Sequence, residues 1–240
     1  MPKTNVQGLA DYAKAYDLPW IESMTAAFET YRTVLLEWNQ VMNLTAITDP
    51  AEILIKHFLD SLLVQRAWDM PAGGSLIDVG TGAGFPGVPL KIARPDVQLT
   101  LLDSLQKRTR FLAELSQQLG QEDNQIVHAR AEDAARSPTY REQYDVATAR
   151  AVAALPVLCE YCLPFVKIGG VFLAMKGPDP EEEMTQAQGA VAKLGAEIVG
   201  SKQLDLPTGD RRSVIIIKKI SQIPPQYPRK AAKIAQAPLQ

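Results

Sequence analysis

Phe28, Tyr31, Leu35, Trp38 and Met42 recur at steps of three and four. This spacing predicts a helix over residues 20–42 with one wide apolar stripe. A shorter helical segment, 8–18, precedes it, and residues 39–48 read as a connector. Asp49-Pro50 then offers an N-cap with proline in the first turn. The helix it starts carries Ile53, Leu54, His57, Phe58, Ser61, Leu62 and Gln65 and runs to about Trp68. After Gly73-Gly74 the pattern changes to short apolar runs at 76–79, 97–102, 125–129, 145–149 and 170–176, each read as a strand. Helix-compatible stretches fall at 87–93, 106–119 (stopped by Gly120), 156–166 and 180–194. Residues 197–206 and 213–219 read as two further strands, and Pro207-Thr208-Gly209-Asp210 between them as a hairpin turn. Strand–helix alternation predicts an α/β fold: a mainly parallel sheet of seven strands with helices on both faces, closed by a hairpin that adds one antiparallel strand. The expected organisation is an N-terminal helical extension (1–69), an α/β domain (70–220) and a tail (221–240). The tail holds four prolines and no periodicity, and so is expected to be extended or disordered.

Composition changes this picture little. The chain has 240 residues, of which 46% are apolar, and it shows no run of transmembrane length behind its polar N-terminus. It is therefore expected to be soluble and cytoplasmic, with no membrane partner. Cys159 and Cys162 form a lone CxxC without a second pair or a nearby histidine, so no metal is expected. Their spacing within an apolar stretch suits one face of a core helix. Charge is more informative. The net charge is −2, yet the last 30 residues carry seven basic and no acidic residues, which leaves −9 on the first 210. A basic end on an acidic body suits either a polyanion held along one edge or a solubilising tail.

The chemistry centres on SLIDVGTGAGFPGVPL, residues 75–90. A strand, a glycine-rich turn and a helix start bring backbone close to a nucleotide-like ligand, because glycine tolerates positive φ and has no Cβ to block the approach. The helix that follows is expected to aim its N-terminal amides at the same spot. Gly82-Ala83-Gly84-Phe85-Pro86-Gly87 is a literal GxGxxG, so a nicotinamide dinucleotide must be weighed. Three features point away from it. Asp78 precedes Gly80, giving DxGxGxG; Pro86 and Pro89 stand where a pyrophosphate would need amides; and Asp103 ends the second strand, where a carboxylate can accept from both hydroxyls of a ribose. Asp103 alone suits either ligand, whereas the Asp78 variant of the turn suits S-adenosyl-L-methionine. Ser104 and Leu105, next in the chain, are counted with this pocket. Arg130-Ala131-Glu132-Asp133 and Arg150 follow the third and fourth strands, at the edge where open α/β sheets bind ligands. Glu132 and Asp133 can also be read as helix caps, and Arg150 as a surface ion pair.

The blocks WNQVMNLTAITDP, KHFLDSL, LIDVGTGAGFPGVPLKI, LLDSLQKRTRFL, ARAV, LAMKG and GDRRSVIIIKK occur in this order from about Trp38 to Lys219. With them the chain resembles the RsmG, or glucose-inhibited division protein B, family of bacterial methyltransferases of small-subunit ribosomal RNA. The resemblance implies a class I methyltransferase fold, S-adenosylmethionine as donor and the N7 of one guanine in 16S ribosomal RNA as acceptor, met as RNA or within a small-subunit particle. It implies a donor pocket of Gly80, Phe85, Ala131, Glu132 and Arg150, with Asp103 on the ribose. The ending YPRKAAKIAQAPL resembles the basic tail of some members but lacks their glycine and several lysines.

Guanine N7 has a lone pair and no proton to lose, so alignment can carry the reaction and no catalytic base is expected. His57, Asp60 and Ser61 stand at i, i+3 and i+4 of one helix, a poor basis for a triad. Arg150, Lys176 and His57 are the candidates for orienting the guanine, and His128 is read as packing. RNA contacts are expected from Lys56, Lys107, Arg108, Arg110, Lys176, Arg211 and Arg212. A monomer is expected. The readings to be discriminated are a methyltransferase, a dehydrogenase, and an RNA-binding module with a vestigial donor pocket.

Overall fold

The computed structural model describes residues 6–150 and 153–240. Strands β1 (Ser75–Val79), β2 (Gln98–Asp103), β3 (Gln125–His128), β4 (Tyr144–Arg150), β5 (Val166–Lys176), β6 (Ala196–Asp205) and β7 (Arg211–Lys219) form one sheet in the order β3-β2-β1-β4-β5-β7-β6. The first five pair in parallel, and β7 runs antiparallel to both β5 and β6. The final hairpin thus inserts its second strand next to β5 and leaves β6 at the edge.

Helices α1 (Val6–Ala15) and α2 (Glu22–Asn39) precede a composite helical stretch over 50–66. There α3 (Pro50–Glu52) and α4 (Asp60–Leu62) flank a π-helical segment, Ile53–Leu59, and a 3-10 turn, Leu63–Arg66, closes the stretch. Asp49 caps its start by accepting from the Glu52 amide at 2.9 Å, as its position before Pro50 predicts. α5 (Gly87–Ala93) and α6 (Gln106–Gln118) join these helices on one face of the sheet. Tyr31 and Phe58 pack there 5.1 Å apart, and Tyr31 stacks on Phe85 at 5.2 Å. The N-terminal helices therefore share one core with the sheet.

The opposite face is covered by the short α7 (Ala131–Ala134), α8 (Leu155–Cys162) and α9 (Glu181–Lys193), with Cys159 and Cys162 fully buried. Pro164 falls in a 3-10 turn, Leu163–Phe165, so β5 begins at Val166, earlier than its apolar run suggests. The expectation of an extended or disordered tail is corrected. Residues 231–236 form α10 (Ala231–Gln236), and Ile223, Ile234 and Leu239 are buried. Arg229 grips the fully buried Glu160 of α8 through its Nε at 2.9 Å and its terminal nitrogen at 2.7 Å. Arg141 donates to the Tyr227 carbonyl at 2.8 Å and to that of Ile223 at 3.2 Å. Side chains too far away in sequence to enter any local pattern thus fasten this segment. His128, read as packing, is exposed instead at the end of edge strand β3, 3.1 Å from the Ser104 carbonyl.

Candidate active site

β1 pairs with β2 on one side and β4 on the other, so the chain leaves this point toward both sheet edges. Such a reversal opens a crevice beyond the carboxyl ends of the strands. The turn after β1 is built inward. Gly80 and Thr81 donate their amides to the Leu102 carbonyl at 2.8 and 3.1 Å, and Gly82 donates to Asp103 Oδ2 at 2.9 Å. The other Asp103 oxygen accepts from the Leu105 amide at 2.9 Å. This carboxylate is 2% exposed and fixed at the crevice floor.

The helix after the turn does not offer its amides to a ligand, contrary to expectation. The Gly87 N–H donates to Asp78 Oδ2 at 2.8 Å, the Val88 N–H to the Gly84 carbonyl at 2.9 Å, and Pro86 and Pro89 have none. Gly84 and Phe85 both donate to the Thr81 carbonyl at 3.0 Å. From Gly80 to Leu90, Ala83 alone has an amide without an acceptor among the described residues. A pyrophosphate, which needs several donors, finds almost none. Asp78 is thus a strut beneath the turn. It also accepts from Thr81 Oγ1 at 2.7 Å, and burial raises its carboxyl to about 6. Its Oδ1 is buried without a partner among the described residues.

The glycines divide by role. Gly82 has φ +61°, and a Cβ there would meet nothing nearer than the Gly80 carbonyl at 4.0 Å, so it leaves space toward the crevice. Gly84, expected in the pocket, makes room for packing: its Cβ would stand 2.7 Å from Tyr31 Oη and 2.9 Å from Val88 Cγ2. The crevice comprises a 130 Å³ recess bordered by Ala131, Glu132 and Tyr161, and a 460 Å³ chamber bordered by Thr45, Phe85 and Arg150. Both include Gly80, Asp103 and Ser104, and the larger alone falls in the range of roughly 300–1,000 Å³ usual for small-molecule sites. Asp78 and Gly84 border neither. Leu105, 52% exposed, lines a separate 700 Å³ groove with residues 40–43 and Lys107, and Arg108 borders both this groove and the crevice.

One wall of the crevice is a stack. His57 lies on Phe85 with ring centres 4.6 Å apart, and the Arg150 guanidinium stands 4.8 Å from the same ring. Arg150 faces His57 Nδ1 at 3.3 Å. Because arginine only donates, Nδ1 must accept, and the proton sits on Nε2, 2.7 Å from Thr45 Oγ1. Burial, then the Arg150 charge, lowers the imidazole to about 3, so His57 is neutral and a poor proton carrier. Ser61 donates to the His57 carbonyl at 2.6 Å, not to its ring, so no triad is assembled. Behind the wall lies a second chamber of 450 Å³, which also includes His57 and Arg150 and extends to Asp60, Lys176 and Arg212.

The basic candidates separate by partner. Arg150 and Arg212 share the buried Asp60 at 3.1 and 3.6 Å. Lys176 pairs with Glu183 at 2.7 Å and donates to the Ala153 carbonyl, and Lys56 pairs with Glu52 at 2.6 Å. Arg211 makes a loose exposed pair with Asp205 at 3.7 Å. Lys107 and Arg110 are exposed along α6, and Arg108 lies 3.4 Å from Asp103. Thr45 and Tyr161 carry no sequence signal that marks them for the site, and the sequence offers Asp60 only as a member of the poor triad. Asn39, whose side chain accepts from the amides of Leu44 and Thr45 at 2.8 and 3.0 Å, folds the 40–48 connector over the crevice and so brings Thr45 to His57.

Comparison with known proteins gives concordant results. The family model described as GidB, rRNA small subunit methyltransferase G, matches residues 24–213. The chain is 53% identical over 211 residues to the ribosomal RNA small subunit methyltransferase G of Alkaliphilus metalliredigens, covering 88% of each chain. It is 46% identical over 240 residues to the protein of that name from Thermoanaerobacter sp. strain X514, covering all of both. Among solved structures it is similar to an O-methyltransferase from Bacillus cereus in complex with SAH (TM-score 0.56, 17% identity, 87% of this chain and 96% of that one). It is also similar to a SAM-dependent methyltransferase from Aquifex aeolicus (TM-score 0.53, 15% identity, 72% and 94%). At these identities the structural likenesses show the fold.

Proposed function

As the chain belongs to the rRNA small subunit methyltransferase G family, we propose that it moves a methyl group from S-adenosylmethionine to the N7 of one guanine in 16S ribosomal RNA. The observation that carries the choice of ligand is the internal use of the turn's amides. A turn whose one spare amide is that of Ala83, set beside a fixed ribose-type carboxylate, Asp103, suits a nucleoside without phosphates. In this reading Gly80, Gly82, Asp103 and Ser104 hold the ribose side of the donor, Ala131 and Glu132 border its base, and Phe85 and Arg150 close the wall beside the reacting end.

Bound there, S-adenosylmethionine supplies an electrophilic methyl carbon, to which the N7 lone pair bonds while the electrons of the C–S bond pass to sulfur. The protein moves no proton in this reaction. The neutral His57 fits that role: stacked on Phe85 and held by Thr45 and Arg150, it shapes the wall. Alignment of two bound reactants is worth up to roughly 7–11 kcal/mol. Lys107, Arg108, Arg110 and Arg211 at the exposed rim supply phosphate contacts, and the reaction belongs to the cytoplasm, where ribosomal RNA is processed.

The test has two arms. Calorimetry with S-adenosylhomocysteine and with NAD should show binding of the first only; NAD alone binding would refute the ligand reading. Labelled methyl transfer onto small-subunit particles and protein-free RNA, followed by mapping, should give one N7-methylguanosine. Methylation at another atom, or none on either substrate, would refute the acceptor reading.

A further inference from the structure

The 450 Å³ chamber behind the Phe85 wall is not used by the donor reading. Its boundary with the crevice is His57 and Arg150, so a molecule in it would meet the crevice at that wall. Its electrostatics limit what it can hold. Lys56, Arg150, Arg212 and Lys176 all border it, and each has a carboxylate within 4 Å: Glu52, Asp60, Asp60 again and Glu183. A phosphate would have to compete with Glu52 and Glu183 for the two lysines, and near the arginines it would face the Asp60 carboxylate that they share. Met175, Leu204 and Val214 add apolar surface. Such a chamber favours a neutral planar group with polar edges.

Asp60 supplies the discriminating chemistry. It is 4% exposed, yet its hydrogen-bonding capacity is not used up. Oδ2 accepts from Arg150 at 3.1 Å, and Arg212 stands 3.6 Å from Oδ1, too far for a hydrogen bond. Burial raises this carboxyl while both arginines oppose the rise. Arg150 spends three of its five N–H groups on the Lys56 carbonyl, Asp60 and His57, and keeps two. Outward from the crevice the wall therefore runs Phe85 and His57, then Arg150, then Asp60.

The geometry points to this chamber as the receptor for the acceptor base itself, with Asp60 as the residue that selects guanine through its N1–H and N2–H donors. The assignment rests on the guanine-N7 reading above and extends it to recognition. Around guanine the groups run N7, O6, N1–H, N2–H. That order matches the wall: N7 toward the crevice, O6 toward the spare donors of Arg150, and the two N–H groups toward Asp60. Adenine would turn a bare N1 lone pair on the same carboxylate. The base reaches the chamber by leaving its stack, as bases modified within folded nucleic acids do.

The experiment uses small-subunit RNA in which the mapped guanosine is replaced by inosine, which keeps N7, O6 and N1–H but lacks the N2 amine. For the wild type, the lost hydrogen bond to a charged acceptor should lower kcat/KM roughly 10- to 150-fold. In Asp60→Asn, a neutral acceptor, the guanosine-to-inosine ratio should shrink to roughly 2- to 10-fold, whatever the variant's absolute rate. A structural role for Asp60 would lower both substrates equally and leave the ratio intact. An unchanged ratio, or a wild type indifferent to inosine, would overturn the assignment. Gly177 borders the chamber with nothing within 4 Å of a built Cβ, so Gly177→Phe fills the space without displacing backbone. It should abolish transfer while S-adenosylhomocysteine affinity stays within about twofold of wild type by calorimetry, as for a separate subsite. Full transfer by Gly177→Phe would also overturn the assignment. Failure of the wild type to make N7-methylguanosine would refute the underlying reading, and the chamber assignment with it.

Discussion

Replacing Arg229 by glutamine removes the guanidinium that holds Glu160 of α8. That carboxylate is completely buried, and the Arg229 side chain is 14% exposed. It accepts from Arg229 Nε at 2.9 and 3.1 Å, from the terminal nitrogen at 2.7 Å and from the backbone N–H at 2.7 Å. After substitution the backbone N–H remains, and the charge is stranded away from water. Breaking a buried pair from one side costs about 3–5 kcal/mol. Against a total stability of about 5–15 kcal/mol, this is a large fraction. Removing the charge as well, in Arg229→Gln with Glu160→Gln, should restore stability to within about 1 kcal/mol of wild type, because two amides leave no buried ion. Urea denaturation followed by tryptophan fluorescence measures all three proteins, and the pair should respond weakly to added salt, being shielded from it. The reasoning fails if the single variant lies within about 1 kcal/mol of wild type, or if the double variant is no more stable than the single one. RNA binding gives a second check. An arginine spent on Glu160 cannot neutralise a phosphate, so the salt slope should be unaltered; a slope reduced by nearly one would place Arg229 on RNA.

Gly82→Val should weaken S-adenosylhomocysteine binding at least about tenfold at a stability cost of about 1–2 kcal/mol, since the new side chain enters the crevice in a left-handed conformation. Unaltered affinity would remove Gly82 from the site. Gly84→Ala should act on stability, by about 1–3 kcal/mol beyond its left-handed strain, because its Cβ would crowd Tyr31 and Val88. The raised Asp78 carboxyl makes stability fall with pH. Below its ordinary value of 3.8 both folded and unfolded chains are protonated; between 3.8 and about 6 the unfolded chain ionises first, for a loss of about 3 kcal/mol complete above pH 6. Asp78→Asn cannot titrate, so its stability relative to wild type should rise by about that amount from pH 4 to pH 7, and parallel denaturation curves at the two values would refute the assignment. Burial pushes both cysteine thiols well above their ordinary range, so neither should react with a thiol reagent until the protein unfolds; rapid labelling of the native protein would reopen a redox reading.

What the sequence determined by itself is what short-range patterns can encode. Apolar runs separated by helix-period stretches specify the strands and most helices, and Pro207-Thr208-Gly209-Asp210 marks the hairpin. The position of Gly80, Gly82 and Asp103 at strand ends was legible too, because a parallel α/β alternation places those ends on one edge. Tertiary structure decided how the charged and polar groups are spent. Lys176 and Arg212 are basic in any reading, but only the folded path sets them against Glu183 and Asp60. Arg229 and Glu160 lie 69 residues apart, and Arg150 and His57 lie 93 apart. No periodicity of two or 3.6 residues reaches across such distances. The same limit hid the role of Gly84, which is glycine because Tyr31 of a distant helix fills the space where its side chain would be. The use of the Gly87 amide by Asp78 was hidden for another reason: the two are near in sequence, but only the folded path of the turn aims one at the other. Local pattern says which groups a segment carries, and only packing in three dimensions says which of them remain free for a ligand.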